Sequence, residues 1–188
     1  MNDLQIRNAI KEQEFKNHYN DPDTRIIDEL GICQGESIVD IAVVNGSLSG
    51  YEIKSDVDTL KRLPKQIENY NKVFDYMSIV TSQKYAPIIN DHIPDWWGII
   101  EVENSNGIAV VIERRKPIQN TKIDLFYLVQ MLWKDELVEI IDSYSLNKSK
   151  KNKSKREIWT YLVDNIDYNT LKNIVRQYLK RRTNWREF

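Results

Sequence analysis

The stretch Ile38-Val-Asp-Ile-Ala-Val-Val44, Asn45-Gly-Ser47, Leu48-Ser-Gly-Tyr-Glu-Ile-Lys54 decides how this chain is read. Its first segment is β-branched and almost wholly apolar, as expected of a strand covered on both faces. Asn45-Gly46 is tight-turn chemistry, and Leu48 to Lys54 returns as a second strand. Three ionisable side chains, Asp40, Glu52 and Lys54, stand inside these apolar surroundings. Buried charge is costly unless it is paired, so a fold keeps such groups when they bind one another, hold a metal, or do chemistry. Glu52 and Lys54 are two apart and project from one face, with Ile53 on the other. Asp40 reaches that face only in certain registers. A two-residue turn would pair Val44 with Ser47 and leave Asp40 on the Ile53 face. A three-residue loop pairs Val44 with Leu48 and sets Asp40 opposite Glu52, and a five-residue loop sets it opposite Lys54. An odd-length loop or a bulge is therefore expected, in spite of the Asn-Gly signal.

Working outward, Leu4, Ile6, Ala9, Ile10 and Phe15 predict an amphipathic helix over 3–17, followed by a turn at Asn20-Asp-Pro-Asp23. Arg25 to Leu30 reads as a strand closed by Gly31. Leu60, Leu63, Ile67, Tyr70 and Phe74 recur at helical spacing over 59–75, with Pro64 breaking the first turn. A strand over 77–81, a short helix over 83–90 and a strand pair, 97–102 and 108–114, follow. From Lys122 the periodicity is helical, interrupted by a basic, polar linker over 147–156. The fold class is α/β (α+β): a mixed central sheet flanked by helices, with an all-helical C-terminal part. The expected division is a core over 1–118 and a helical region over 119–188.

Composition narrows the function. The 188 residues are 41% hydrophobic and 29% charged, which is globular composition. No apolar run approaches the roughly 18–20 residues that span a bilayer, and Met1-Asn-Asp-Leu-Gln5 lacks a signal-peptide pattern, so a cytoplasmic protein without membrane contact is expected. A single cysteine, Cys33, rules out a disulfide framework or a Cys-based zinc finger, and two histidines, His18 and His92, exclude a His-rich metal cage within one chain. The net charge of −1 hides an asymmetry: residues 148–188 hold 12 Lys/Arg and 4 Asp/Glu, and residues 1–147 hold 15 and 24. A basic end on an acidic body implies an anionic partner for that end, a contact between the two, or a solvated Lys-rich surface.

Two carboxylates converging without histidine suit a hard divalent cation, since Mg²⁺ takes a few carboxylate oxygens and keeps several waters. Beside them, Lys54 could orient water and offset charge on phosphorus, which are the parts of metal-assisted phosphodiester hydrolysis. A buried Lys54 ion pair would explain one carboxylate and leave the other without a partner.

Asp40 followed across a hairpin by Glu52-Ile-Lys54 resembles the PD-(D/E)xK, or restriction-endonuclease-like, nuclease superfamily. Gln66-Ile-Glu-Asn-Tyr70 is similar to the QxxxY motif of its RecB-type branch. The string Gly50 to Leu63, with Trp96-Trp-Gly98, resembles one uncharacterised bacterial family within it, over nearly the whole chain to Trp185-Arg186. That family usually carries a basic residue two positions before the aspartate, where this chain has Ile38. The resemblance implies a restriction-endonuclease-like core and a nuclease dependent on Mg²⁺ or Mn²⁺, acting on nucleic acid, above all DNA. It implies that Asp40, Glu52 and the Ile53 carbonyl ligate the metal and that Lys54 is catalytic. Glu29 would be the extra acidic residue before the Asp strand, and Gln66 and Tyr70 would orient the site. The alternative is a nuclease-fold binding or interaction module, for example in a defence or mobile-element system, with a second copy or another protein as partner.

Other matches are weaker. Glu14-Phe-Lys16 also reads ExK, but in a polar helical setting; Pro22-Asp23 is turn chemistry, and Pro94-Asp95 leads into the Trp96-Trp97 strand. Asp58 reads as an N-cap, and Arg62 as a partner for phosphate or for Asp56 or Asp58. Trp96, Trp97, Trp133 and Trp159 read as core, and His18 and His92 as surface. Lys148, Lys150, Lys151, Lys153, Lys155 and Arg156, with Arg176, Lys180, Arg181, Arg182 and Arg186, form the expected backbone-binding cations, salt-sensitive and blind to sequence.

Overall fold

The hairpin sets the register of everything around it. The computed structural model describes residues 1–182, and in it β2 (Ser37–Val44) pairs antiparallel with β3 (Leu48–Lys54), Val44 against Leu48. The connection therefore has three residues. Asn45 Oδ1 accepts from the Ser47 amide at 3.0 Å and from its hydroxyl at 3.1 Å, and Asn45 N–H donates to the Ser47 carbonyl at 3.0 Å. The asparagine side chain thus closes a turn on its own backbone, which lengthens the loop past the two-residue form that Asn-Gly favours.

Among the described residues six strands form one sheet in chain order: β1 (Arg25–Ile32), β2, β3, β4 (Tyr76–Ser82), β5 (Gly98–Ser105) and β6 (Ile108–Arg115). The pairs β1·β2, β2·β3 and β5·β6 are antiparallel, while β3·β4 and β4·β5 are parallel. A mixed sheet flanked by helices, with a helical C-terminal part, is the expected fold class, and it is what the chain adopts.

Two hydrophobic layers cover the sheet. On one face Ile6, Ala9 and Ile10 of α1 (Asp3–Gln13), with Phe15, pack against Ile41, Val43, Ile53, Val80 and Ile100. On the other, Ala42, Val44, Leu48 and Ile79 join Leu63 and Tyr70 of α2 (Leu63–Tyr70). The same layer takes in Leu128 of α3 (Leu125–Val129), Leu137 of α4 (Lys134–Ser143), Leu162 of α5 (Lys155–Asn165) and Leu179 of α6 (Tyr168–Arg181). Buried Asp75, just before β4, ties α6 to the sheet. It accepts from Leu48 N–H at 2.8 Å and lies 2.6 Å from Lys172 Nζ and 3.1 Å from Arg176 Nη1. No helix among the described residues is long and apolar enough to cross a membrane.

Several boundaries differ from the sequence reading. α1 stops at Gln13 and Leu4 is exposed, leaving a narrower stripe of Ile6, Ala9 and Ile10. β1 runs through Gly31 to Ile32. The helix expected over 59–75 is a 3-10 turn, Leu60–Arg62, and then α2. Pro64 lies in the first turn of α2, where its missing N–H costs nothing, so it helps start the helix. Asp58 caps no helix; it accepts from Ser55 N–H at 2.8 Å and from the Ser55 hydroxyl, closing a turn ahead of α2. The short helix expected over 83–90 is a set of turns ending in a 3-10 turn, Ile89–His92. The expected linker is not open chain: Lys148–Asn152 forms a 3-10 turn, and Ser154 caps α5 in a box with Glu157. Trp97 and Trp159 are core as expected, Trp96 is partly buried, and Trp133 sits beneath the Arg182 guanidinium, 4.2 Å from its ring centre.

Candidate functional site

The β2–β3 ladder ends at Ile41↔Tyr51, one pair before the register would bring Asp40 opposite Glu52. The strands separate there, and a side chain takes over from backbone: Ile53 N–H donates to Asp40 Oδ2 at 2.7 Å. From the α1 face, Arg7 Nη2 lies 3.3 Å from Asp40 Oδ1 and Nη1 donates to the Asp40 carbonyl at 2.8 Å. The same guanidinium reaches Asp28 at 3.2 Å and Asp3 at 3.3 Å. Burial, and the Glu52 carboxylate nearby, push the Asp40 carboxyl up to about 7, against the opposing pull of Ile53 N–H and Arg7.

Glu52 is buried on the α2 side of the sheet. Its Oε1 accepts from Lys54 Nζ at 2.6 Å and from Gln66 Nε2 at 2.7 Å. Tyr70 Oη is 2.6 Å from Glu52 Oε2 and 2.7 Å from the Ile38 carbonyl, and its one proton serves one of them at a time. Burial and the Glu52 carboxylate raise the Tyr70 hydroxyl well above its ordinary value, so it stays a donor. Gln66 Oε1 in turn accepts from Lys54 at 3.1 Å. Gln66 and Tyr70 lie one helical turn apart on α2, which brings both to the carboxylate. Trp97, stacked on Tyr70 and donating to Asn71 Oδ1 at 3.0 Å, fixes the phenol ring.

The five residues Asp40, Glu52, Ile53, Lys54 and Gln66 line one cleft of about 290 Å³, together with Asp3, Glu29, Ile38, Asp58 and Arg62. Its wall carries five carboxylates against two cations, Lys54 and Arg62, an excess of negative charge that a cation would offset. Among the described residues no three acidic, histidine or cysteine side chains gather closely enough to form a ready-made metal cage. Asp40 and Glu52 are therefore the donors on offer, and one or two carboxylates completed by water is what Mg²⁺ ordinarily takes. Two ionised carboxylates present about eight lone-pair sites in all. Ile53, Arg7, Lys54, Gln66 and Tyr70 use part of that capacity, so the donor set fits a hard cation once solvent or substrate completes the shell.

The remaining sequence candidates fall into two groups. Glu29 lines the cleft on its exposed edge; among the described residues the β1–β2 ladder skips it, and its φ of 55° is left-handed, unusual for a glutamate. Ile53 contributes its backbone to the site and buries its side chain on the α1 face. The basic residues of 148–156 are partly engaged within the chain: Lys151 pairs with Asp142, Lys153 lies 3.8 Å from Glu157, and Lys150 lies over the Tyr161 ring. Lys148, Lys155 and Arg156 are exposed. Arg176 binds Asp75, Lys180 faces Asp23 at 3.6 Å, Arg181 faces Glu139 at 3.9 Å and Arg182 binds Glu136 at 2.6 Å. Much of the expected backbone-binding charge is thus spent on internal acids. Arg186 and Trp185 lie outside the described residues.

Two site residues escaped the sequence reading, Arg7 and Asp3. Both sit on the polar side of an amphipathic helix, where nothing in the local pattern separates a cleft residue from a solvated one.

The chain has measurable relatives. It is 28% identical over 164 residues to protein cII of Enterobacteria phage P4, a match that covers 85% of this chain and 60% of that protein's length. The SPO1766 protein of unknown function from Silicibacter pomeroyi is a structural neighbour at TM-score 0.48 and 11% identity, covering 81% of this chain and 94% of that one. SfsA of Pyrococcus furiosus, solved with Ca²⁺, gives TM-score 0.32 and 16% identity over 58% of this chain and 60% of its own. At those scores neither neighbour bears on the fold or the chemistry of this chain. The family model of bacteriophage P4 protein cII matches residues 2–188, and the chain belongs to that family.

Proposed function

We propose that this protein is a divalent-cation-dependent nuclease of the PD-(D/E)xK type, hydrolysing phosphodiester bonds of nucleic acid, with DNA as the expected substrate. The observation that carries the reading is the meeting of Asp40, Glu52 and Lys54 in one cleft, with Gln66 and Tyr70 both bonded to Glu52. A hard cation, Mg²⁺ or Mn²⁺, held by Asp40 and Glu52 supplies Lewis acidity and a more acidic water. The chain's own residues do the rest. Ile53 N–H and Arg7 hold the Asp40 carboxylate at the mouth of the strand gap. Gln66 and Tyr70 fix the rotamer of Glu52. With a cation on Glu52, the Lys54 ammonium would be the group to donate to a phosphate oxygen or orient the attacking water. Exposed Lys148, Lys155 and Arg156 are the cations to hold nucleic-acid backbone.

One observation favours a second reading, a non-catalytic module. Both oxygens of Glu52 already accept hydrogen bonds from protein donors, so the buried pair is satisfied without a cation. One experiment separates the two. Wild type, Asp40→Ala and Lys54→Ala are incubated with single-stranded DNA, duplex DNA and RNA, in Mg²⁺ or Mn²⁺ against EDTA. Metal-dependent cleavage by wild type, lost in both variants while binding persists, supports the nuclease. No cleavage of any substrate supports the module.

A further inference from the structure

A larger concavity, of about 600 Å³, adjoins the acidic cleft, and Glu29 and Ile38 line both. That is room for an organic group of nucleotide size. One wall is the end of β1 with the Cys33–Gly35 turn; the other is the helical part, which brings Gln130, Trp133, Lys155 and Trp159. The turn is itself unusual, since Cys33, Gln34 and Gly35 lie at φ 49°, 59° and 89°, left-handed backbone that the Cys33 and Gln34 side chains disfavour.

Among the described residues, two buried polar atoms of the helical wall have no hydrogen-bond partner: the acceptor Gln130 Oε1 and the donor Trp159 Nε1–H. Gln130 is 9% exposed and Trp159 5%, so neither atom is served by bulk solvent. The soft terminal torsion of Gln130 lets its amide turn toward an occupant. An acceptor and a donor from residues of the same wall, which also carries two indole rings, match a nucleobase, which offers amino donors and ring or carbonyl acceptors on its edges and apolar faces above and below.

We propose that this cavity takes one unstacked base of the nucleic-acid strand whose backbone lies in the cleft; the placing of that strand rests on the nuclease reading. A base can enter only if it leaves its stack, so single-stranded or locally opened DNA is the preferred form. Lys155 stands at the rim for the adjoining phosphate.

The test uses the full chain with Gln130→Leu and Trp159→Phe. Each removes a polar atom while nearly keeping shape, so a purely structural role predicts unchanged or higher melting temperature and unchanged binding. Binding of a fluorescein-labelled single-stranded DNA is measured in EDTA, beside a strand of the same length built wholly of abasic units. The expected result is roughly tenfold weaker binding of intact DNA by each variant, about one missing hydrogen bond. Wild type should hold the abasic strand no better than the variants hold intact DNA. Equal binding by wild type and both variants, or equal binding of the two strands, overturns the proposal. Cleavage in Mg²⁺ by wild type and Lys54→Ala is read in parallel. If wild type cleaves and binding is unmoved by both variants, the base cavity alone falls. If nothing is cleaved and the variants still lose binding, the cavity stands and the nuclease reading falls.

Discussion

Lys54→Met keeps the unbranched stem of the side chain, one atom shorter, and removes its charge, which brings out the electrostatic part of the candidate site. The ammonium lies 2.6 Å from Glu52 Oε1, and the two side chains are 2% and 3% exposed. At that separation the gross Coulomb attraction is about 6 kcal/mol for an effective dielectric constant of about 20. Methionine forfeits it and leaves the carboxylate with only Gln66 and Tyr70, so a net loss of about 3–5 kcal/mol in folding stability is expected. Adding Glu52→Gln removes the stranded charge, and the neutral pair should return to wild-type stability or exceed it by about 1–4 kcal/mol. Urea unfolding followed by tryptophan fluorescence reads this close to the event, because Trp97 stacks on Tyr70. An unchanged midpoint for Lys54→Met, or a double variant no more stable than the single, refutes the reasoning. Under the proposed function, cleavage is lost in both proteins, so stability and activity part company in the double variant.

Three further outcomes follow from the geometry. Asp40 titrates at about 7 in the fold against an ordinary 3.8, so the folded state binds the extra proton between those values and stability falls as pH rises through that window, by at most about 4 kcal/mol. Asp40→Asn should flatten this slope and be the more stable protein at pH 8; parallel pH–stability curves for the two would sink the assignment. Asp75→Ala strands Lys172 and Arg176 and removes the acceptor for Leu48 N–H, with an expected cost of about 3–5 kcal/mol by thermal or denaturant unfolding; a cost under about 1 kcal/mol would mean the three-way contact does not hold α6 to the sheet. Gly50→Ala places a Cβ 2.4 Å from Met77 Sδ and 3.0 Å from Phe74, so it should destabilise by about 1–3 kcal/mol, and wild-type stability would contradict the close packing there.

The central hairpin was legible because its apolar run leaves few places for charge. Once Asp40 and Glu52 are required to share a side, only an odd loop serves, and the structure pairs Val44 with Leu48 accordingly. The amphipathic periods likewise indicated the helical C-terminal part, whose buried Leu137, Leu162 and Leu179 sit in one layer with the sheet. Arg7 was illegible for a physical reason. Its partners Asp28 and Asp40 reach it only when α1 lies across the sheet, and a helix's polar side carries no mark of what it will meet. The same blindness hid the acids that meet Arg176, Lys180 and Arg181, which are remote in sequence. The turn at Asp58 misled because a side chain that serves an N-cap serves a local turn equally well.

The sheet divides the donors that hold the two central carboxylates. Arg7 comes to Asp40 from the α1 side, Gln66 and Tyr70 come to Glu52 from the α2 side, and the Ile53 amide lies between them in the strand itself. The site thereby works as a gauge of alignment between two layers on opposite faces of the sheet. A slippage of either by a fraction of an ångström would alter the spacing of both acids together, so substitutions far from the cleft, in the apolar seam under α1 or under α2, should retune its chemistry without changing a single residue that lines it.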